Sequence, residues 1–522
     1  MKLKITKKYL VFPVNTLLPP KNLYFKAENE TLYQLGIKLD NCNPNFYAYV
    51  DVSRFAGREI EITTIPQMEI NFRQSDIMDI ENLYNEPLRP QVHFTAKNGW
   101  INDPNGLIYL NGIYHMFYQH HPSEPDWDNS HWGHAESRDL IHWEEKDIAL
   151  FPDSRGGMLS GCAVYDEKNL LAKNDGKNNA ALMFYATTHP YCQHMSYSVD
   201  NFKTIKSYGE KPIVPHIIDE NRDPKVIFCE ELECYIMALY LEKDIYCILK
   251  SENLTDWREL QRIQLNGSRE CPDIFPLCCS NGERKWVFIG ANDKYLVGNF
   301  KSGKFIAEQS ELRLHYGSAG YAGQSFSNLP NGRIVRMVWD MWSLPAYGFA
   351  FNFKGQMGIP MEISLCKYKN TYYLEASPIK EIKNIYKKQE LYNNVNVNPE
   401  TSFVKPLDSD AQLLRIKSEF FTNASIDIEI FGRNINFNFE QNEITLGACK
   451  APISITHNKF DITIIADRCS IELFSDDGKI FLSCLNVYTL INKHLPYLSM
   501  ESSRDITLES IEVNSLASIW EK

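Results

Sequence analysis

The stretch that decides the fold is WINDPNG at residues 100–106, which is followed by LIYLNG at residues 107–112. An aspartate followed by proline and then by Asn-Gly is typical of a turn, and the alternating apolar residues after it predict a β-strand. Trp100 and Asn102 place an aromatic ring and an amide beside Asp103, a combination that suits a sugar ligand. Taken alone, the motif predicts only a turn aspartate before a strand.

The motif has counterparts further along the chain. Asp-Pro recurs at residues 223–224 and Cys-Pro-Asp occurs at 271–273, and units of the same kind begin at Ser160 and Gln324. The five anchors, at positions 103, 160, 223, 273 and 324, are 50 to 63 residues apart. A serine followed two residues later by Asp or Asn, with an aromatic residue downstream, also recurs at positions 137, 198 and 251. Five such units without a long helical pattern predict a five-bladed β-propeller over residues 91–372.

The segments on either side of the propeller also read as β structure. Residues 1–75 contain an alternating run at 58–64 and predict a small β-sandwich-like domain, which serves either in packing or in carbohydrate binding. Residues 76–90 and 373–395 are interpreted as linkers, the second with a charged stretch at 377–382 that could be helical. Residues 396–522 predict a C-terminal β-sandwich. The expected fold class is therefore all-β.

Composition limits the classes of function. The net charge of −12 argues against a nucleic-acid or anionic-membrane partner, and no apolar run approaches the ~20 residues that span a bilayer. The N-terminal segment, interrupted by Pro13 and Asn15, makes a poor signal peptide. Thirteen cysteines without C-x-x-C spacing indicate reduced thiols. A cytoplasmic protein is expected, or a secreted one if a leader has been lost.

The repeat has a chemical consequence. Equivalent blades would bring Asp103, Asp223 and Asp273 to one mouth of the central channel, with Glu270 beside them, and clustered like charges cost free energy unless a site uses them. Two carboxyl groups are what glycoside hydrolysis requires. Arg222 is expected to hold Asp223 ionised. Near the anchors lie groups that suit a small polyol: Gln119, Trp127, Trp132, Ser160, Tyr321, Trp339 and Trp342.

Seven motifs in order carry a family resemblance: WINDPNG, FYQHHP (117–122), WGH (132–134), LSGCAV (159–164), RDP (222–224), ECPD (270–273) and GYAGQSF (320–326). Together they resemble glycoside hydrolase family 32, the β-fructofuranosidases, which include invertases, inulinases and levanases. The resemblance extends to DRCSIELF at 467–474 in the C-terminal domain. The N-terminal domain resembles an extra β-domain of some bacterial members. The family fold, a five-bladed propeller joined to a β-sandwich, agrees with the repeat count.

The resemblance implies a retaining hydrolase that cleaves terminal β-D-fructofuranosyl residues from levan- or inulin-type fructans, from sucrose, or from both. Asp103 would be the nucleophile, Glu270 the acid and base, and Asp223 the group that stabilises the transition state, with Arg222 beside it. The resemblance implies no metal and no organic cofactor. The remaining implied substrate-binding residues are Trp100, Asn102, Gln119, Trp127, Leu159, Ser160, Cys271, Tyr321, Trp339 and Trp342.

The sequence departs from the family pattern at the rim of the site. His121-Pro122 replaces Asn-Pro, Leu159 replaces an aromatic residue, residues 360–363 read PMEI, and Trp339 and Trp342 are one residue closer than usual. Each carboxylate remains. The alternatives are a fructosyltransferase, an inverting five-bladed glycosidase and a non-catalytic fructan-binding propeller. The motifs do not distinguish levan, inulin and sucrose, nor exo from endo action, and the oligomeric state is open.

Overall fold

The computed structural model describes residues 1–28, 30–341, 352–485 and 497–521. This part of the chain folds into 42 β-strands, numbered here β1–β42, and five 3-10 helices, with no α-helix among the described residues. The 3-10 helices are Ser53–Phe55, Glu230–Leu232, Pro330–Gly332, Lys380–Ile385 and Asp476–Gly478. None of the helices described is long and apolar enough to cross a membrane. The predicted all-β class is confirmed.

The N-terminal module is a sandwich of two sheets, ordered β1-β6-β3-β4 and β5-β2-β7. Alternate residues of each strand, such as Ile60 and Ile62, point into a core that both sheets share. Strand β4 is at the edge of its sheet. The strands are β1 (Lys2–Lys4), β2 (Tyr9–Val14), β3 (Lys21–Ala27), β4 (Glu30–Ile37), β5 (Phe46–Asp51), β6 (Glu59–Ile65) and β7 (Arg73–Ser75).

Five antiparallel sheets follow, and each is one blade of the propeller. The first blade is β8 (Gly99–Leu110), β9 (Ile113–His121), β10 (His131–Ser137) and β11 (Trp143–Glu145). The second is β12 (Met158–Tyr165), β13 (Ala181–Thr188), β14 (Tyr191–Ser198) and β15 (Lys206–Ser207). The third is β16 (Arg222–Cys229), β17 (Cys234–Glu242), β18 (Ile245–Ser251) and β19 (Arg258–Gln264).

The last two blades carry short additional strands. The fourth blade is β20 (Asp273–Cys278), β21 (Arg284–Ile289), β22 (Lys294–Lys301) and β23 (Lys304–Ala307), with β24 (Leu312–Arg313) on β22. The fifth is β25 (Gly320–Ser325), β26 (Ile334–Asp340), β29 (Met361–Tyr368) and β30 (Thr371–Pro378). Of the remaining strands, β27 (Phe353–Lys354) pairs in parallel with β8, and β28 (Gln356–Met357) pairs with β26.

The five inner strands, β8, β12, β16, β20 and β25, contact one another in a closed ring. The repeated serine phrase marks the same turn in three blades. The hydroxyl groups of Ser137, Ser198 and Ser251 donate to the Asp or Asn two residues later, over 3.1, 2.9 and 3.1 Å. These side-chain bonds fix the turn after the third strand, which explains why the phrase recurs with the period of the blades.

Four of the five inner strands contain a β-bulge at the same level. In β8 the register passes from Ile101 to Pro104 while β9 advances by only two residues, so that Asn102 and Asp103 lie opposite Gln119. The same extra residue occurs in β12 at 159–160, in β16 at 223–224 and in β25 at 322–323. A bulge leaves its extra residue out of the ladder and re-aims the side chain. The ring is therefore irregular on one level, where it presents side chains to the channel mouth.

The C-terminal sandwich contains two six-stranded sheets, ordered β31-β42-β33-β38-β39-β40 and β32-β41-β34-β35-β36-β37, over a shared apolar core. Its strands are β31 (Tyr386–Val397), β32 (Phe403–Pro406), β33 (Gln412–Glu419), β34 (Ser425–Ile430), β35 (Arg433–Asn438), β36 (Glu443–Leu446), β37 (Cys449–Pro452), β38 (Lys459–Ala466), β39 (Ser470–Ser475), β40 (Ile480–Leu485), β41 (Tyr497–Ser502) and β42 (Ile506–Leu516).

The sandwich is fixed to the start of the propeller by the 467–474 motif. Asp467, which is fully buried, accepts hydrogen bonds from the backbone of Gln91 and Val92 and contacts His93 Nδ1 at 2.8 Å. Apolar residues of both bodies, including Phe474, form one continuous core. The motif thus holds the two bodies together, and its aspartate and glutamate are buried far from solvent.

The predicted boundary at residue 372 and the linker at 373–395 need correction. Residue 372 falls within β30, the outer strand of the fifth blade, and β31 of the sandwich begins at Tyr386. The charged stretch becomes the 3-10 helix Lys380–Ile385, in which Ile382 and Ile385 are buried. The strand was missed because polar residues on its exposed face resemble those of a linker.

Candidate active site

Asp103 lies in the β8 bulge and is held by three donors. The Ser160 hydroxyl donates to Asp103 Oδ2 at 2.6 Å, the Cys271 thiol donates to the same oxygen at 3.3 Å, and the Asn102 amide donates to Oδ1 at 3.1 Å. Trp100 Nε1 donates to the Asn102 oxygen at 2.8 Å and thereby orients that amide. Residues from the first, second and fourth blades therefore fix one carboxylate.

Asp223 lies in the β16 bulge and is 5% exposed. Its Oδ2 accepts a hydrogen bond from the backbone N–H of Cys271 at 3.0 Å and lies 3.4 Å from the Cys271 sulfur. Because the same thiol also contacts Asp103, Cys271 stands between the two aspartates. Its φ of 40° places its N–H and its side chain on these carboxylates at some conformational cost.

Glu270 lies on the loop before β20, also with a left-handed backbone, φ 59°. Its Oε1 is 2.5 Å from Arg222 Nη2, and its Oε2 accepts a hydrogen bond from the Tyr321 hydroxyl at 2.7 Å. Its side chain is 32% exposed. Arg222 Nε lies farther from Asp223 Oδ2, at 3.9 Å, so the close ion pair of Arg222 is with Glu270. The three acids thus share a thiol and a guanidinium.

The electrostatics correct one expectation. Burial raises the pKa of Asp223 to about 7; Arg222 lowers it, but Asp103 and Glu270 raise it again. Arg222 therefore does not hold Asp223 firmly ionised, since it is paired more closely with Glu270. Burial also raises the pKa of Asp103, against the hydrogen bonds from Ser160 and Asn102. Both aspartates bind a proton more readily than a solvated carboxylate does.

Gln119, Leu159 and Ser160 all lie beside the bulges. Gln119 is buried opposite the β8 bulge and donates from Nε2 to the carbonyl of Met158 at 2.9 Å, which links the first two blades. The Leu159 carbonyl accepts from Trp132 Nε1 at 2.9 Å. Among them, only Ser160 has a described hydrogen bond to one of the three acids.

The predicted aromatic residues are divided between two places. Trp339 packs edge-on against Trp100, with ring centroids 5.6 Å apart, and pairs with Tyr321 across the strands. Trp127 instead is 62% exposed in a groove between the first blade and the N-terminal module, and no contact with the acids is among those described for it. Trp342 lies outside the described residues.

Asp273 does not join the acids at the channel mouth. It is fully buried and pairs with Lys225 Nζ at 3.2 Å and Arg336 Nε at 3.4 Å. Its carboxylate also accepts the Ser325 N–H at 2.7 Å. Asp273 follows Pro272 as Lys225 follows Pro224, in a strand without a bulge, and its contacts with Lys225 and Ser325 tie inner strands together.

Sequence reasoning missed the groups that position Arg222 and Glu270. Glu220 accepts from Arg222 Nη1 at 3.1 Å, the Tyr240 ring lies 5.1 Å from the guanidinium carbon, and the Tyr246 hydroxyl donates to the Glu270 carbonyl at 3.2 Å.

Sequence reasoning also missed the bulges of the inner strands, although the sequence contains a signal for them. A proline or glycine lies in or directly after the bulge of all four strands, at positions 104, 161, 224 and 323. At Gly161, for example, a β-carbon would lie 1.9 Å from the Phe184 carbonyl oxygen.

Two groups of described residues have ligand atoms close enough to surround a metal ion: His115 with His134 and Glu136, and His93 with Asp340 and Glu472. Neither includes any of the three acids. His115 and His134 are 3.1 Å apart through their ring nitrogens, and His93 is paired with carboxylates of the sandwich. These clusters belong to packing between strands and between bodies.

Comparison with known proteins identifies the family of the chain. The family model "Glycosyl hydrolases family 32 N-terminal domain" matches residues 93–378. A levanase of Bacillus subtilis is 28% identical over 491 residues, covering 84% of this chain and 72% of that protein. A fructan beta-fructosidase of Streptococcus mutans is 28% identical over 81% of the chain, which spans 32% of that longer protein. The crystal structure of an exo-inulinase from Aspergillus awamori shares the fold, with a TM-score of 0.73, 23% identity and coverage of 84% of this chain and all of the other. The chain belongs to glycoside hydrolase family 32, as its motifs predict.

Proposed function

We propose that the protein is a retaining β-fructosidase that removes terminal β-D-fructofuranosyl residues from fructans or sucrose through a covalent fructosyl-enzyme. One observation carries the proposal. In a chain of this glycosidase family, Asp103, Asp223 and Glu270 from three blades meet around the Cys271 thiol and the Arg222 guanidinium. Relatives named levanase and fructan beta-fructosidase support the choice of substrate.

In this proposal Asp103 attacks the anomeric carbon of the terminal fructosyl unit. Hydrogen bonds from Ser160 and Asn102 leave it little freedom to rotate, so that its oxygen is already aimed when the substrate arrives. The new bond joins an Asp103 oxygen to the anomeric carbon, and the bond from that carbon to the leaving oxygen breaks. The electron pair of the broken bond leaves with that oxygen.

Glu270 is the acid and base. It gives a proton to the leaving oxygen and then takes one from the water that hydrolyses the fructosyl-enzyme. Its partial exposure suits a group that must meet first a leaving sugar and then water. Arg222 and Tyr321 hold one carboxyl oxygen each, which fixes the direction of proton transfer. The water oxygen bonds to the anomeric carbon, the bond from that carbon to Asp103 breaks, and the proton taken from water replaces the one that left with the departing sugar.

Asp223 would bind fructose hydroxyl groups and stabilise the positive charge that develops on the sugar. It is buried at the level of Asp103, where a carboxylate acts through a medium of low polarity. Its pKa, which burial raises to about 7, falls when a cationic transition state lies beside it, because positive charge favours the ionised carboxylate.

The test is to incubate the purified protein with levan, inulin and sucrose and to measure the release of reducing sugar over time. We expect Glu270→Gln to lower kcat by about 10²–10⁴-fold and Asp103→Asn to abolish turnover. Asp219→Asn, at an exposed aspartate of the loop before β16, serves as the matched control. Full activity in either site variant contradicts its assigned role.

Two product measurements complete the test. The first-formed fructose should keep the anomeric configuration of the substrate, which proton NMR detects before mutarotation. An inverted first product contradicts the covalent intermediate. At high sucrose concentration, free fructose supports hydrolysis, whereas oligosaccharides as the main product assign the protein to fructosyl transfer.

A further inference from the structure

A groove of about 970 Å³ runs between the N-terminal module and the propeller, a size typical of ligand sites. One wall is the edge strand β4 with Asn22 beside it. The opposite wall is the segment around Trp127 in the first blade, and the floor includes Gly157 at the start of the second blade. Neither the family's motifs nor the roles proposed above account for this groove.

The wall contributed by the N-terminal module is fixed on the propeller. The Asn129 side chain bonds both backbone groups of Gly36, over 2.9 and 2.7 Å, and Glu124 accepts the backbone N–H of Lys38 at 2.6 Å. The Tyr33 hydroxyl is 2.7 Å from His131 Nε2. A β-carbon at position 36 would lie 2.7 Å from Asp128 Oδ2, so that glycine permits this close approach. The groove is thus a built feature and not a gap between loosely tethered bodies.

Two short connections link the groove lining to the acids. Gly157 lies three residues before Ser160, roughly 10 Å along an extended strand, and Ser160 bonds Asp103. At the other side of the floor, Tyr191 interacts with Glu220 and Arg222, and Arg222 bonds Glu270. The lining of the groove thus lies close to Ser160 and to Arg222, the groups that hold Asp103 and Glu270.

The lining suits neutral sugars. Trp127 offers a flat apolar face that is 62% exposed, beside the polar side chains of Asn22 and Gln34. Because Gly36 directs its backbone groups away from β3 and towards Asn129, Gln34, two residues before it, directs its own N–H and C=O to the same edge. Aromatic faces with peptide groups and amides at the side are what a row of pyranose or furanose rings requires.

We infer that this groove binds the fructosyl units of a fructan chain that follow the terminal one, and that the N-terminal module is therefore part of the substrate site. The inference rests on the proposed function, since it takes the chain end to be at Asp103 and Glu270. It assigns the module a role in selecting polymer over short substrates. A neutral polysaccharide chain is the single occupant that it names.

The experiment compares kcat/KM on levan and inulin with kcat/KM on sucrose or a fructosyl trisaccharide. Asn22→Trp fills the groove from an exposed position of β3, and Asn43→Trp, at an exposed asparagine of the same module outside the groove, is the control. We expect Asn22→Trp to lower kcat/KM on the preferred polymer about tenfold, a loss equivalent to about 1.4 kcal/mol, and to change the short-substrate value less than about twofold. Gln34→Ala should lower the polymer value about threefold, which keeps the test valid if the tryptophan variant does not fold.

Three outcomes decide the matter. A selective loss on the polymer in the groove variants supports the inference. An unchanged ratio of polymer to short-substrate activity in both folded variants, or an equal change in Asn43→Trp, overturns it while the proposed function stands. Absence of β-fructosidase activity in the unaltered protein refutes the proposed function and this inference together.

Discussion

Replacement of His93 tests how the propeller is fastened to the C-terminal sandwich. Its imidazole is fully buried, with Nδ1 2.8 Å from Asp467 Oδ2 and Nε2 3.6 Å from Glu472 Oε2. Burial by itself lowers the pKa of His93, but the hydrogen bonds and charges of these two carboxylates outweigh it and raise the pKa to about 10. The histidine is therefore a cation at neutral pH, in contact with two anions of the neighbouring body.

The magnitude follows from this shift. A pKa displaced from 6.5 to about 10 corresponds to roughly 5 kcal/mol of preference for the charged form. Removal of one partner from a buried ion pair costs about 3–5 kcal/mol. We expect His93→Gln to lower the free energy of unfolding by about 3–5 kcal/mol at pH 7, because the variant leaves the carboxylates of Asp467 and Glu472 without their cation.

The pH dependence gives a second readout. Because the folded-state pKa of His93 lies above the unfolded value, its contribution is complete below pH 6.5 and is lost as the pH rises towards 10. Urea unfolding followed by tryptophan fluorescence at pH 6, 7.5 and 9 should show this loss in the unaltered protein and not in the variant. His457→Gln, at an exposed histidine of the sandwich, should cost less than about 0.5 kcal/mol. A cost below about 1 kcal/mol for His93→Gln, or an unchanged pH slope, would refute the reasoning.

Two further predictions concern the acids. Because the proposed role of Asp223 needs its ionised carboxylate, kcat/KM should rise as the pH increases through about 7, where Asp223 ionises. A pH profile without this rise contradicts that role. Ser160→Ala removes the 2.6 Å hydrogen bond to Asp103, and loss of a bond to a charged group, about 1.5 kcal/mol, should lower kcat/KM about tenfold. Steady-state kinetics on sucrose measures this effect, and an unchanged kcat/KM in a variant of unchanged stability would show that Ser160 does not orient the nucleophile.

The sequence predicts the propeller because its repeats mark structural turns. The serines at 137, 198 and 251 occupy the same turn in three blades, and the Asp-Pro pairs at 103 and 223 mark the bulges of two inner strands. Turn chemistry of this kind can be recognised from the amino-acid sequence alone. The same repeat predicted that Asp103, Asp223 and Glu270 lie close together in one site.

What escaped prediction depends on register and on charge in three dimensions. The repeat predicted that Asp273 is an active-site acid, but Asp273 follows its proline as Lys225 follows Pro224, and ion pairs with Lys225 and Arg336 make it structural. Sequence reasoning paired Arg222 with the next residue, Asp223, whereas in the structure its close ion pair is with Glu270. The end of the fifth blade was misplaced because the residues of β30 at alternate positions are only partly buried.

The four bulges carry a consequence for how such a site can change over time. The extra residue of each bulge is absent from the ladder, and antiparallel pairing resumes directly after it with the register shifted by one residue. A substitution at Leu159 or Ser160 therefore alters what a ligand meets without shifting the strand that carries it. Substitutions can therefore change the pocket in one blade at a time, while the proline or glycine in or directly after each bulge keeps the backbone conformation.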